Sequence, residues 1–198
     1  MATRNQINPV GLKTISNFKN ILTGGGTRSN LFEVVLSFPS AIAIEGKDTV
    51  VEKSRFLVKA AAIPASTISY IDVGFRGRNL KVASDRTFES WTITVINDVD
   101  FSIRSAFEKW QNALSKVSDA TGLTNPADYQ SDAFVHQLDR DGSILRTYHM
   151  YDAFPTNLAP IPLSSDQGAI EEFSVELQFL WWEAIKGDSS SAGGEDIN

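Results

Sequence analysis

The side chains best able to do chemistry in this 198-residue chain are two histidines, the charged residues at two glycine bends, and a tryptophan doublet. His136 and His149 flank the turn-prone stretch Asp139 to Gly142, so a hairpin there would bring two imidazoles to neighbouring strands, as a metal site requires. No convincing third ligand accompanies them, and they read as a partly exposed cross-strand pair. "DRDG" at 139–142 begins like a calcium loop, but no Glu stands at the twelfth position, so a turn with Gly142 at positive φ is the better assignment. Arg76 and Arg78 in "VGFRGRN" suggest an anion site. The stretch lacks the strand, Gly-rich loop and helix order that cradles phosphate, and reads instead as a basic bend that meets acidic residues on another subunit. Trp181 and Trp182 could stack on a sugar or a base, yet adjacent strand residues point to opposite faces, which leaves one for the core and one for a partner.

Other chemistries lack their residues. With no Cys there is no disulfide, thiol nucleophile or Cys-ligated metal, and no Gly-x-Ser-x-Gly elbow is present. Any two of the 24 acidic residues could pair in a fold, but nothing in their spacing selects a pair. No catalytic, cofactor-binding or metal residue is therefore assigned. A net charge of -6 disfavours a surface that grips nucleic acid through its phosphates. The 42% hydrophobic and 21% charged fractions are those of a soluble globular chain, and no run of 18 apolar residues predicts membrane insertion. With no signal-like stretch at the amino terminus, a soluble protein made in the cytosol is expected.

The elements that must position these residues follow from periodicity. Leu12, Ile15, Phe18 and Leu22 recur at helical spacing before the triplet Gly24 to Gly26, which predicts a short amphipathic helix on a flexible hinge, an arm over residues 1–29. "NLFEVVLSF" predicts a strand. The stretch from Pro39 to Ser54 predicts a projecting hairpin or long loop, with turn residues Glu45 to Asp48 between β-prone flanks. "RFLVKAAAIP" reads as a strand ended by Pro64, and "STISYIDVGFRGRNLKVAS" as alternating strand with Gly74 and Gly77 at bulges or bends. In "DRTFESWTITVIND", Trp91, Ile93 and Val95 alternate with Ser90, Thr92 and Thr94, giving one core face and one hydroxyl face. Ile103, Phe107, Trp110, Leu114 and Val117 then mark a helix with one apolar stripe, capped by Ser102 or Asp100, with Asp98 and Asp100 near its positive end.

"AFVHQLDRDGSILRTYHMY" predicts two strands, and "EEFSVELQFLWWEAI" a last strand with Phe173, Val175, Leu177, Phe179 and Trp181 on one face and Ser174, Glu176 and Gln178 on the other. Residues 30–185 thus form one domain, and residues 186–198, small and polar, a disordered tail. The fold class is α+β and β-rich: an antiparallel sandwich or partly closed barrel with one flanking helix.

Taken in order, "LFEVVLSF", "VKAAAIPASTISYIDVGFRGRNLKVASDRTFESWTITVINDVDFSIRSAFEKWQ", "FPTNLAPIPLS" and "EEFSVELQFLWWE" resemble the tail tube protein family of contractile-tailed bacteriophages. The similarity covers roughly residues 30 to 183. It implies a tail-tube-like fold and a non-enzymatic virion protein whose subunits form stacked hexameric rings inside a contractile sheath. The partners it implies are the chain itself, the tail sheath protein, and baseplate and tail-terminator proteins. DNA would pass transiently through the lumen without specific binding, and assembly would take place in the host cytoplasm. On the same basis the expected inter-ring contacts are Leu12, Ile15, Phe18 and Leu22 of the arm with Ile42, Ile44, Val50 and Val51. The expected lumen-facing residues are Thr92, Thr94, Glu176 and Gln178. Alternatives are a related tube-fold protein, either a baseplate tube initiator or a type VI secretion tube protein, and a β-sandwich carbohydrate-binding module.

Overall fold

The computed structural model describes residues 15–22, 25–166, 168–186 and 190–191. Two antiparallel sheets share one long strand. The first carries β1 (Phe32–Leu36), β6 (Ser131–Leu138), the first part of β7 (Ile144–Leu158), β9 (Trp181–Lys186) and β10 (Ser190–Ser191). The second carries the end of β7, β8 (Glu172–Gln178), β5 (Trp91–Ile96) and β2 (Val58–Ala61). β7 changes sheets at Asp152, whose φ of 56° bends the strand. Phe179 and Leu180 turn the same corner between β8 and β9, with the Leu180 N–H donating to Tyr151 O at 3.0 Å. Strands that switch sheets at bends are how two sheets close around one core.

That core is what the alternation predicts. Trp91, Ile93 and Val95 of β5 meet Phe173, Val175 and Leu177 of β8, each at most 2% exposed. From the other sheet come Val34, Leu36, Val135 and Met150, and from helix α3 (Ser102–Leu114) Ile103, Phe107 and Trp110. Phe38 packs edge-on against the Phe107 and Trp110 rings at 5.7 and 5.5 Å. Three indoles also act as pins. Trp91 donates to Ala62 O, Trp110 to Tyr129 O beside the short helix α4 (Pro126–Tyr129), and Trp182 to Ala65 O.

Four local expectations are corrected. The stretch after β1 is not a projecting hairpin: it turns back and becomes helix α2 (Lys47–Leu57), which lies along the free edge of β1. Ser54 Oγ there accepts the Leu36 N–H at 3.4 Å, so the helix covers a strand edge that would otherwise be left open. Ile42 and Val50 are consequently buried, and Ile44 and Val51 pack against the core. The strand expected from Arg55 starts only at Val58. Val117 lies beyond the end of α3 and is 95% exposed. Finally, the predicted last strand is two strands, and its two-residue corner reverses the phase. Phe179 faces the core, but beyond the corner it is Ala184 that is buried and Trp182 that packs on the core, while Trp181 turns outward.

Candidate self-association surfaces

Among the described residues β3 (Ser66–Phe75) and β4 (Arg78–Phe88) pair only with each other, and they project from the domain. The hairpin closes at Arg76 and Gly77, both at positive φ (47° and 79°), the primed turn that matches strand twist. Gly74 is not a bend: it is paired with Asn79, and the register shift lies between Ile68 and Tyr70. Opposite pairs share a face, so Ile71 with Val82, Val73 with Leu80 and Phe75 with Arg78 make one predominantly apolar side. All of these are exposed. The other side carries Tyr70, Asp72 and Lys81, with the Lys81 ammonium 3.1 Å from Asp72 and 3.6 Å from the Tyr70 ring centre. A contiguous apolar side of this kind marks a surface that another molecule covers.

The second surface is the outer face of the β2–β5–β8–β7 sheet. Thr92 stands opposite Glu176 and Thr94 opposite Ser174, while Gln178 pairs with Phe154, so the four residues expected to line a lumen share one face. The face is knitted by polar contacts: Ser90 Oγ donates to Glu176 Oε1, Thr94 Oγ1 lies 3.4 Å from Ser174 Oγ, and Lys59 Nζ lies 2.6 Å from Glu172 Oε1. Its own side chains thus absorb part of its charge. The third is helix α1 (Ile15–Ile21), none of whose residues is buried: Ile15, Phe18 and Ile21 are exposed, as is Leu22 just beyond it. Leu12 lies outside the described residues.

The family model "Phage tail tube protein" matches residues 27–184, a span that holds β1 to β8, most of β9 and the hairpin. The chain belongs to the phage tail tube protein family. The tail tube protein gp19 of Enterobacteria phage T4 is 34% identical over 164 residues, covering 81% of this chain and 93% of that protein. The tail tube protein of Serratia phage KSP90 is 27% identical over 85% of this chain and 96% of its own. The fold also resembles a chain of the six-fold symmetrised baseplate of the anti-feeding prophage, at 13% identity and TM-score 0.62, covering 83% and 98% of the two chains. A chain of the extended sheath-tube complex of an extracellular contractile injection system follows at 15% identity and TM-score 0.55, with 85% and 97% covered.

In this tail tube domain the chemically versatile residues take structural posts. His136 and His149 are not partners: His136 stands opposite Thr147 and His149 opposite Phe134, whose ring separates the imidazoles. His136 Nδ1 lies 2.8 Å from Thr147 Oγ1. Burial pushes its pKa below the ordinary imidazole value and Arg55 adds to this, against an upward pull from Glu33. His149 Nε2 lies 3.0 Å from Asp132 Oδ2. Among the described residues no three His, Cys, Asp or Glu side chains converge as a metal site would need. In "DRDG", Asp141 Oδ1 accepts the Ser143 N–H and hydroxyl, as a turn requires.

The N-cap position of α3 is held by Phe101 at a φ of 52°, and the carboxylate that closes its first turn is Asp98, not Ser102 or Asp100. Asp98 Oδ1 accepts the Ser102 N–H at 2.9 Å, and its Oδ2 accepts the Ser102 hydroxyl at 2.7 Å and lies 2.6 Å from Lys53 Nζ. Burial pushes the Asp98 carboxyl upward, but the hydrogen bonds from Lys53 and Ser102 together outweigh it and hold the group below the usual carboxylate range. The Lys53 contact ties α2, the helix that periodicity missed, to the start of α3.

Proposed function

We propose that the chain is a non-enzymatic building block: stacked hexameric rings of it form the inner tube of a contractile phage tail, put together in the host cytoplasm and enclosed by a sheath. DNA crosses the lumen past the Thr92, Thr94, Glu176 and Gln178 face, whose hydroxyl and carboxylate groups offer phosphate no cationic grip. The observation that carries this reading is the projecting hairpin with its uncovered apolar side, which the domain itself does not use. A projecting element that docks on a different surface of the next copy makes a heterologous contact, and such contacts close into rings or run on as tubes. The 34% relatives are tail tube proteins, which supports a tube subunit over a tube initiator. Trp181 stacks on Tyr151 at 4.0 Å and Trp182 packs inward, an arrangement that does not favour a sugar platform.

Electron microscopy of the purified full chain tests the proposal. Hollow tubes or stacked rings about 100 Å wide, the scale of six such domains around a pore, are expected. Particles that stay monomeric at every concentration would overturn it.

A further inference from the structure

We propose that the outward face of β6, β7 and β9 is the seat for the tip of a second copy's β3–β4 hairpin, with Arg76 and Arg78 of the incoming copy held between aromatic rings and carboxylates. The inference rests on the tube-subunit reading and adds the surface on which the hairpin lands.

The donor side is an excess of charge. Residues 66–88 hold four cations, Arg76, Arg78, Lys81 and Arg86, against Asp72 and Asp85, in a chain whose net charge is -6. The hairpin is therefore a basic projection on an acidic body. Lys81 is paired with Asp72, but among the described residues neither tip arginine has a carboxylate within salt-bridge distance. Arg76 lies only over the ring of its neighbour Phe75, at 5.3 Å.

The acceptor side is a ladder of rings. Phe134 stacks on His149 at 4.2 Å, His149 lies 3.7 Å from Tyr151, and Tyr151 stacks on Trp181 at 4.0 Å, where the row ends at a ring 39% exposed. Two carboxylates flank the row: Asp132 beside His149, and Glu183, which accepts the Tyr151 hydroxyl. The Asp132 side chain is 41% exposed. Among the described residues no Lys or Arg reaches either of them, whereas Glu33 and Glu172 hold Arg55 and Lys59. A guanidinium stacks on aromatic faces and bonds carboxylates with its planar fork, and this face supplies both within one patch. An ammonium or a phosphate would use it poorly.

The natural chain has no Cys, so proximity can be tested by introducing one at a time. Asn79→Cys beside the hairpin tip and Ile185→Cys on β9 are made in separate full-length chains, mixed, assembled and treated with a short bismaleimide, which adds one thiol at each end. Crosslinked pairs of the two chains, abundant in tubes and absent from unassembled protein, are expected. In parallel, Arg76→Glu with Arg78→Glu should raise the concentration needed for assembly roughly tenfold or more. Combining that chain with Asp132→Arg and Glu183→Arg partners should restore much of the loss, with circular dichroism confirming that each variant is folded. Tubes that form without the crosslink, or folded arginine variants that assemble as the natural chain does, would overturn this seat and leave the tube reading standing. Absence of any assembly by the natural chain would overturn both.

Discussion

Consider polar replacement of the hairpin's apolar side, Val73→Thr, Phe75→Ser and Leu80→Ser together. In the single chain these residues are 47%, 68% and 63% exposed, and among the described residues none of them belongs to the core cluster, so their removal costs the isolated domain little. Burying a side chain of this size completely is worth about 1.5–3 kcal/mol, and roughly half of that is still to be gained when a neighbour covers it. Three such residues then contribute on the order of 3 kcal/mol per contact, equivalent to about a hundredfold in affinity. The assay is paired: thermal unfolding under conditions that keep the chain dispersed, and sedimentation of assembled material across a concentration series. The triple variant should melt within a few degrees of the natural chain but need about a hundredfold more protein to sediment. The reasoning is refuted if it assembles at the natural concentration, or if the melt collapses, since that would place the hairpin in the domain's own core.

Three further perturbations probe the helix start, the loop after α3 and the polar sheet face. Asp98→Asn removes the charge that closes the first turn of α3 and meets Lys53, and should cost about 1 kcal/mol at neutral pH in denaturant unfolding. Because the folded Asp98 carboxyl titrates below its unfolded value, its contribution is present above pH ~4 and lost as pH falls through the folded value. The gap between the two chains should therefore close in acid, and a gap that persists there would contradict the charge argument. Gly122→Ala would set a Cβ 2.0 Å from the backbone oxygen of Leu114, which has no flexible end to swing away, so a loss of about 1–3 kcal/mol is expected in the same unfolding measurement. A neutral result would contradict the packing of the 115–123 segment on the end of α3, where the Leu123 N–H donates to Ala113 O at 2.9 Å. Glu176→Lys with Thr92→Lys places cations on the polar sheet face, and tubes should still form while DNA release slows. Unchanged release kinetics would remove that face from the lumen.

The core strands and the main helix were legible because burial on one face leaves a period in the sequence. Trp91, Ile93 and Val95 show it at two residues, and Ile103, Phe107 and Trp110 at three to four. α2 was hidden for a definite reason. Its core-facing side, Val50, Val51, Ser54 and Leu57, is interrupted by a hydroxyl, so no continuous apolar stripe marks the helix, and the flanks "TVV" and "FLV" carry β-branched and aromatic residues. Its stability comes from covering the edge of β1, a tertiary fact. The corner at Phe179 and Leu180 was hidden because apolar residues occupy both phases around it, "FLWW", so alternation cannot register the reversal. The hairpin was read as strand, but its exposure was not. Ile71, Val73 and Phe75 alternate just as core residues do, and a side awaiting a second molecule has the same pattern as one already buried. What set it apart was charge: four cations over 23 residues of an acidic chain, the signal that also separates the tip from the acidic faces it could meet.

A helical reconstruction of the assembled full chain would show which surfaces the copies share. Six-fold rings are expected in which residues 66–88 of each copy are buried against another copy, while the β2–β5–β8–β7 face carrying Thr92 and Glu176 looks into the axial channel. Tubes in which the hairpin stands free in solvent and a different sheet lines the channel would contradict this arrangement.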